Sequence, residues 1–172
     1  MLNRVLPAIA IAAALTITAQ TAEAQRPMTI GVAAGVSIPT GDFADSHKMG
    51  WNAAAGLDYR FPASNLGVRF EGFYNSFAGE ASVPRATISG GTANLTYRLG
   101  GIGIQPYAIG GVGAYNTKVE GGRSETDFGI NAGFGLNFPL GGMSTFAEAR
   151  MHAVSADPED IMFFPVTFGI RF

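Results

Sequence analysis

Two pairs of oppositely charged residues share the same two-residue spacing. Arg69 and Glu71 lie in one largely apolar segment of the 172-residue chain, and Glu148 and Arg150 lie in another. Side chains at positions i and i+2 of a β-strand point to the same face, so each pair would project from one wall of a sheet. If the two walls face each other, Arg69 and Glu71 would form ion pairs with Glu148 and Arg150 across the space between them. Such a network could act as a gate for small solutes or as a structural plug, and we favour the plug.

Three residues near the C-terminus are of the types that form a nucleophile, a base and an orienting acid. Ser155, His152 and Glu159 all lie between positions 152 and 159. His152 shares the parity of Glu148 and Arg150, however, so it would face the same side as those charges, and Ser155 lies beyond the apolar segment. We therefore interpret His152 as an ordinary histidine at a rim and expect no catalytic residues.

The composition argues against several other chemistries. The chain has no cysteine and two histidines, which excludes disulfides, thiolate metal sites and a lipid-modified cysteine and leaves little for zinc. Its 11 basic and 13 acidic residues give a net charge of -2, so no basic field is present to hold nucleic acid. No segment has the fixed spacing of a calcium-binding loop. We expect no metal, no cofactor and no nucleic-acid partner.

The alternation of apolar and small residues predicts the elements that must position these charges. From Met28 onward, apolar residues recur at every second position, the period of a strand, and never at helical spacing for three turns. Each predicted strand reaches or exceeds the roughly 9 to 11 residues of a tilted membrane-spanning strand, whereas soluble strands have about 5 to 6. The predicted strands cover residues 28–38, 50–61, 66–77, 86–99, 104–117, 127–138, 142–153 and 161–172.

The connections between these strands alternate in length. Residues 62–65, 100–103 and 139–141 are tight, turn-rich links, whereas 39–49, 78–85, 118–126 and 154–160 are longer and charged. Short turns therefore gather at one end, which predicts an all-β, eight-stranded antiparallel up-and-down barrel with both chain ends on the turn side. The two Arg–Glu pairs then lie four strands apart in a ring of eight, on opposite walls.

The distribution of charge indicates which face of the barrel meets lipid. Apart from Asp127 at the first position of the sixth strand, which we count with the loop before it, the predicted strands contain eight charged residues. All eight fall on the face that otherwise carries Gly, Ala, Ser, Thr and Asn. A charge facing lipid at mid-membrane costs about 2 to 4 kcal/mol, and an eight-stranded barrel has an interior just wide enough for side chains. We therefore predict that the apolar face points outward into hydrocarbon. The alternative is a soluble, lipocalin-like barrel in which the apolar face points inward. The predicted lumen network is Asp58, Arg69, Glu71, Glu148 and Arg150, with Arg60, Arg98 and Arg171 nearer the turn-side rim.

Aromatic residues on the apolar face would form two interfacial girdles. The turn-side girdle is predicted from Tyr59, Phe61, Tyr97, Phe138 and Phe172, and the loop-side girdle from Trp51, Tyr74, Tyr115, Phe128 and Phe164. The fifth strand changes phase after Tyr107 and Ile109, so we predict a bulge at Gly110-Gly111. A second local bulge is expected at Pro165, which has no N–H for the ladder.

The first 24 residues have the pattern of a secretory signal peptide. Arg4 precedes an apolar run over residues 5–19, and alanines occupy positions 22 and 24, which a signal peptidase reads. The run is shorter than the roughly 20 residues that a membrane-spanning helix needs. We expect cleavage before Gln25, which divides the chain into a signal peptide at 1–24 and one β-barrel domain at 25–172.

Several segments resemble the small outer-membrane β-barrel proteins of the OmpA and OmpX kind. The resemblance covers residues 29–172 and is carried by Ser-Ile-Pro-Thr-Gly-Asp-Phe at 37–43, Gln-Pro-Tyr at 105–107 with the glycines after it, and Phe-Ala-Glu-Ala-Arg at 146–150. The ending, Val-Thr-Phe-Gly-Ile-Arg-Phe at 166–172, is the most specific part. A terminal strand of alternating aromatic and aliphatic residues that closes on phenylalanine resembles the signal that the outer-membrane assembly machinery reads. The residues of that signal are Phe164, Val166, Phe168, Gly169, Ile170 and Phe172.

This resemblance implies a Gram-negative type of outer membrane, with the short turns in the periplasm and the long loops outside. It implies outer-membrane lipid, lipopolysaccharide and the assembly machinery as partners, and it leaves a surface partner open. It does not imply one activity, because this fold carries many. We expect a non-enzymatic protein with a structural or surface-interaction role. A narrow pore for small solutes and a lipid-modifying enzyme are the alternatives.

Overall fold

The computed structural model describes residues 27–100, 103–157 and 159–172. The predicted signal peptide at 1–24 lies outside these residues. A single helical turn, α1 (Phe43–Ser46), follows the first strand, and the described residues contain no helix that is long and apolar enough to cross a membrane. The strands are β1 (Met28–Thr40), β2 (Gly50–Arg60), β3 (Leu66–Phe77), β4 (Ala86–Arg98), β5 (Gln105–Val119), β6 (Ser124–Leu140), β7 (Met143–Val154) and β8 (Ile161–Arg171).

The eight strands close into an antiparallel barrel in chain order, with β8 paired to β1, which confirms the predicted fold. Following paired residues once around the barrel from Ile30 returns to β1 at Thr40, ten residues further along. This offset is the shear of the barrel, and it requires the strands to tilt against the barrel axis. A row of paired residues therefore climbs toward the loop end as it passes from β1 to β8.

The pairing register is unbroken, so the two predicted bulges are wrong. Gly110 and Gly111 pair in sequence with Leu95 and Asn94, and the β7–β8 register is the same on both sides of Pro165. In β5 the apolar residues switch parity without a change of phase, because Tyr107, Ile109 and Tyr115 all point into the barrel whereas Val112 points outward. Inward glycines on β6 make room for the tyrosines, since a Cβ at Gly135 or Gly129 would overlap the Tyr107 or Tyr115 ring. The ladder thus continues without an extra residue.

The connections follow the predicted alternation with one difference. The links at 61–65 and 141–142 are short, and the loops at 41–49, 78–85 and 155–160 are longer. The connection between β5 and β6 is only 120–123, shorter than the predicted 118–126, because the hairpin stays paired as far as Lys118 and Ser124. The start of β1 and the end of β8 lie on the turn side, where the Ile30 N–H donates to the Phe172 carbonyl over 2.9 Å.

The two faces of the barrel are those of a membrane protein. Large apolar side chains cover the outside, with Phe70, Phe128 and Phe168 exposed by 60%, 81% and 66%, whereas charged and polar side chains are buried inside. Girdle residues lie on the outer face in contacting pairs, such as Trp51 with Tyr74, whose ring centroids are 5.3 Å apart. Tyr115 is a correction to the predicted loop-side girdle, because it is fully buried in the lumen.

Candidate functional site

The charged part of the lumen is centred on Arg69, which β3 projects inward. Its Nη1 donates to Glu148 Oε2 on the opposite wall over 2.7 Å, and its Nε donates to Asp58 Oδ1 over 2.8 Å. Asp58 and Arg69 are direct cross-strand partners in the β2–β3 ladder, so the sheet itself holds them together. Glu148, in contrast, lies across the lumen from Arg69. The side chains of Arg69 and Glu148 are almost fully buried.

Arg150 on β7 makes the second connection across the lumen. Its Nη2 contacts Glu71 Oε1 on β3, and its Nε lies 2.8 Å from Glu148 Oε1 on its own strand. Tyr107 donates its hydroxyl to Glu148 Oε2 over 2.6 Å, so this carboxylate has three partners. The two Arg–Glu pairs of the sequence thus form one continuous network of ion pairs.

Arg171 belongs to the same network, although its sequence position suggested a place nearer the rim. Its Nη1 donates to Asn137 Oδ1 over 3.1 Å, its Nη2 to the Tyr107 hydroxyl over 3.0 Å, and its Nε lies 3.4 Å from Asp58 Oδ2. The guanidinium also lies over the Phe146 ring, 3.8 Å from its centroid.

Arg60 and Arg98 are the last residues of β2 and β4, at the turn side of the barrel. Arg60 is exposed and Arg98 is half-buried. Their backbone N–H groups help to hold the turn end together, since Arg60 donates to the Pro27 carbonyl and Arg98 to the Asn65 carbonyl. Among the described residues, neither of these two side chains forms an ion pair with the buried network.

The formal charges in the network balance. Three arginines, at positions 69, 150 and 171, lie among three carboxylates, at positions 58, 71 and 148. Burying an ion is unfavourable unless partners replace its hydration, so removing one member of such a set leaves an uncompensated charge. The arrangement therefore has the character of a permanent structural element.

An apolar layer fills the lumen on the loop side of the charges. Its fully buried members are Phe77, Ile88, Tyr115, Val154 and Phe163, and Phe43 of α1 packs against it from the loop side. The Phe43 and Phe77 rings meet edge to face with centroids 5.1 Å apart. We call this set the aromatic plug.

His152 faces the lumen and packs against the aromatic plug. Its ring stacks on Phe163 with centroids 4.8 Å apart, and its Nδ1 lies 2.9 Å from the Tyr115 hydroxyl. The ring is only 2% exposed, so His152 does not reach the outer face where lipid chains lie. Ser155 is exposed in the loop after β7. The structure therefore does not present these residues to lipid as a catalytic set.

A small cavity borders the network. A cavity of about 10 Å³ lies against Asp58, Arg69, Phe146 and Arg171. A single water needs about 10 to 15 Å³, so this cavity holds one water at most. Within the described residues, no group of three His, Asp or Glu side chains is arranged to hold a metal ion.

The sequence analysis did not identify the aromatic members of this interior. Tyr107 and Phe146 support the network, and Tyr115 and Phe163 form the plug, yet all four resemble lipid-facing residues by type. One feature of the sequence could have indicated that these aromatic residues point inward: a glycine on the neighbouring strand. Gly135 pairs with Tyr107, and Gly169 pairs with Phe146, and in each case a Cβ at the glycine would overlap the aromatic ring.

The C-terminal strand presents its apolar residues outward. Phe168 and Ile170 are exposed, Phe164, Val166 and Phe172 are partly exposed, and Gly169 faces inward beside Phe146. The Phe172 N–H donates to the Ile30 carbonyl over 3.0 Å, which completes the β1–β8 closure.

A family model for the outer membrane protein beta-barrel domain matches residues 8–172, nearly the whole chain. The chain belongs to this family. Its barrel is therefore of the outer-membrane type, which agrees with the apolar outer face and the charged interior. No curated protein matches the sequence.

Solved structures show the same fold at low sequence identity. Neisserial surface protein A is 15% identical with a TM-score of 0.68, covering 84% of this chain and 96% of its own. Ail, the attachment invasion locus protein of Yersinia pestis, is 18% identical with a TM-score of 0.51, covering 84% and 97%. The outer membrane enzyme PagL is 17% identical with a TM-score of 0.53, covering 82% and 97%. At these identities the likeness is one of fold and does not extend to an activity.

Proposed function

We propose that this protein is a non-enzymatic outer-membrane barrel with a closed lumen and a structural or surface-interaction role. One observation carries the proposal: the interior is filled by two successive layers, the balanced ion-pair network and the aromatic plug. In this arrangement the long loops are outside, the short turns are in the periplasm, and the chain reaches the outer membrane through a signal peptide at 1–24.

The filled interior argues against the narrow pore. A solute entering from the turn side would have to separate Arg69 from Glu148, and one entering from the loop side would have to displace Tyr115 and Phe163. Separating a buried ion pair leaves both charges unpaired in a low-dielectric interior, which is strongly unfavourable. The lumen side chains therefore act as a plug.

The position of His152 argues against a lipid-modifying enzyme. Acyl chains contact the outer face of a membrane barrel, whereas His152 is enclosed by Tyr115 and Phe163 inside it. PagL is named as an outer membrane enzyme, but its likeness to this chain is one of fold. We propose no catalytic residues.

The outer loops support a role in surface contact. The first two are joined to each other, because the Lys48 N–H donates to the Ala78 carbonyl over 2.8 Å and the Glu80 N–H donates to the Ser46 carbonyl over 2.9 Å. Below them, Phe43 rests on the aromatic plug. This anchoring gives the loops a defined surface, which favours contact with a partner over a mobile lid.

Planar-bilayer recording tests the closed lumen. We expect the purified protein to give no steady single-channel steps, since both layers must open for ions to pass. Steady steps in the wild-type protein would reject the plug in favour of the pore.

Mass spectrometry of lipid A from cells with and without the protein tests whether the protein modifies lipid. We expect the same lipid A species in both.

A further inference from the structure

The two ends of the barrel carry charge of opposite sign. At the turn end, Arg60 ends β2 and Arg98 ends β4, and the links at 61–65, 99–104 and 141–142 contain no charged residue. The four loops at the other end contain seven acidic and three basic residues. The turn end therefore has a positive field that attracts anions.

Arg60 and Arg98 both belong to the inner face of the sheet. Arg60 lies two residues after Asp58, and Arg98 lies two residues after Thr96, and both of those side chains point into the barrel. Because side chains alternate across a strand, the two arginines project at the mouth of the lumen.

Gly67 on β3 separates the two arginines. It pairs with Arg60 on one side and with Thr96 on the other, two residues before Arg98. A Cβ at Gly67 would lie 2.8 Å from Thr96 Oγ1, so this position faces inward. The strand between the arginines thus contributes no side chain here, which leaves room for a small group between the two guanidinium groups.

Neither arginine forms an ion pair in the part of the chain that the structure describes. The positive charges of Arg60 and Arg171 act on Arg98 more strongly than the negative charge of Asp58. Asp58 is already bound by Arg69 over 2.8 Å and lies 3.4 Å from Arg171 Nε. Arg98 is half-buried, so water screens the repulsion only in part. An anion between the arginines would offset it.

The buried network closes this mouth on its inner side. Arg171 donates to Asn137 Oδ1 over 3.1 Å and to the Tyr107 hydroxyl over 3.0 Å. A ligand that enters from the turn end would therefore stop at the mouth. Guanidinium groups present their N–H donors in a planar fork, which matches the oxygens of a carboxylate or a phosphate.

We propose that the turn-side mouth of the lumen, between Arg60 and Arg98, is a binding site for a soluble oxyanion, a phosphate or carboxylate group. The group lies over Gly67 and accepts hydrogen bonds from both guanidinium groups. The site itself depends on the fold, and its place in the periplasm rests on the proposed function, in which the short turns are on that side.

A phospholipid headgroup matches this site less well than a soluble anion. Headgroups surround the outer wall of a membrane barrel, whereas Arg60 and Arg98 have inward parity. The outward neighbours of Arg98 are Tyr97 and Leu99, which are exposed and uncharged. A soluble anion reaches the mouth from water without crossing this wall.

An NMR titration of the protein, folded in an uncharged detergent, tests the site. The probes are inorganic phosphate and acetate, each compared with sodium chloride at equal ionic strength, and the signal is the backbone amide of Gly67. We expect a saturating shift with at least one probe at concentrations where chloride has no effect. A shift that follows ionic strength alone with both probes would overturn the proposal.

Variants test the two arginines. Arg60→Gln and Arg98→Gln should each raise the midpoint of the titration about fivefold, which is the upper end for a partly exposed charged contact. Arg123→Gln is the matched control, because Arg123 is exposed at the loop end, and it should leave the midpoint unchanged. Unchanged midpoints in both test variants would also overturn the proposal. Heat-dependent gel mobility verifies that each variant is folded.

Nanodiscs distinguish the two sources of the anion. In phosphatidylcholine and in phosphatidylglycerol, we expect the soluble probe to give a saturating shift of the Gly67 amide. If phosphatidylglycerol alone shifts this amide and blocks the probe, the site belongs to a lipid headgroup and the soluble ligand is rejected.

The anion site and the closed lumen fail in different ways. Loss of anion binding in a protein that stays silent in planar bilayers would reject the anion site alone. Steady channel steps in a protein that binds the probe would reject the plug alone.

Discussion

Arg69 and Glu148 are 79 residues apart in the chain, yet their side chains meet across the lumen at 2.7 Å. β3 and β7 face each other in a ring of eight strands, and the ten-residue shear brings these two positions to the same depth. Both side chains are buried, so the contact replaces hydration that each charge loses on folding. The barrel thereby joins opposite walls through side chains as well as through its backbone ladder.

Removing one member of this network should destabilise the barrel. Glu148→Ala leaves Arg69 and Arg150 without their shared carboxylate, and we expect the free energy of unfolding to fall by about 3 to 5 kcal/mol. Urea unfolding in detergent, followed by the fluorescence of Trp51, the single tryptophan, measures this. Glu125→Ala is the control, because Glu125 is exposed. Equal unfolding midpoints for the two variants would disprove the structural role of the network.

Glycines on the inner face should tolerate substitution less well than those on the outer face. A Cβ at Gly135 would overlap the Tyr107 ring, so Gly135→Val forces the ring to move and should destabilise the barrel by about 1 to 3 kcal/mol. Gly110→Val is the comparison, because Gly110 faces lipid with space for a side chain. The same unfolding assay applies. A larger loss for Gly110→Val would mean that the two faces are assigned the wrong way round.

The contact between the first two loops should weaken in acid. His47 is buried between Phe43 and the second loop, and this burial lowers its pKa below the ordinary value of 6.5. The neutral ring is the folded form, so its contribution to stability is present above pH 6.5 and is lost as the pH falls through the lowered pKa. The neighbouring charges, Lys48 and Glu80, are exposed.

Two measurements check this pH dependence. An NMR titration, with the His47 signal assigned by its loss in His47→Gln, should give a midpoint below 6.5. The protection factor of the Lys48 N–H, which donates to the Ala78 carbonyl, should fall over the same pH range once the exchange rate is corrected for the intrinsic pH dependence of amide exchange. A midpoint at or above 6.5 would contradict the prediction.

The terminal phenylalanine should matter for assembly in the cell more than for stability. Phe172 closes the barrel through its backbone, which donates to and accepts from Ile30, so Phe172→Ala keeps both hydrogen bonds. If the ring belongs to the assembly signal, this variant should refold in detergent like the wild type while its amount in the outer membrane falls several-fold. Phe138→Ala, another aromatic change at the turn end, is the control. Equal outer-membrane amounts for both variants would remove Phe172 from the signal.

The alternation of residue types was sufficient to predict the strands and the sorting of charge. It also predicted that Arg69 and Glu71 would oppose Glu148 and Arg150, because parity and strand count alone place them on facing walls. It failed in β5, where Tyr107 and Tyr115 resemble lipid-facing aromatics and instead occupy space left by glycines on β6. The position of Arg171 near the end of the last strand predicts a place nearer the rim. Its partners Asn137 and Tyr107 lie on other strands, so its place in the network depends on how the barrel closes.

The amino-acid sequence by itself determined the period of two, the number of strands and the face on which each charge lies, because these depend on neighbours within a few positions. Tertiary structure decided which side chains meet. The shear sets the depth of every residue relative to the opposite wall, and the volume left by each inward glycine decides which aromatic ring fills it. Both quantities arise only when the sheet closes, so the ion pairs and the aromatic plug are properties of the barrel as a whole.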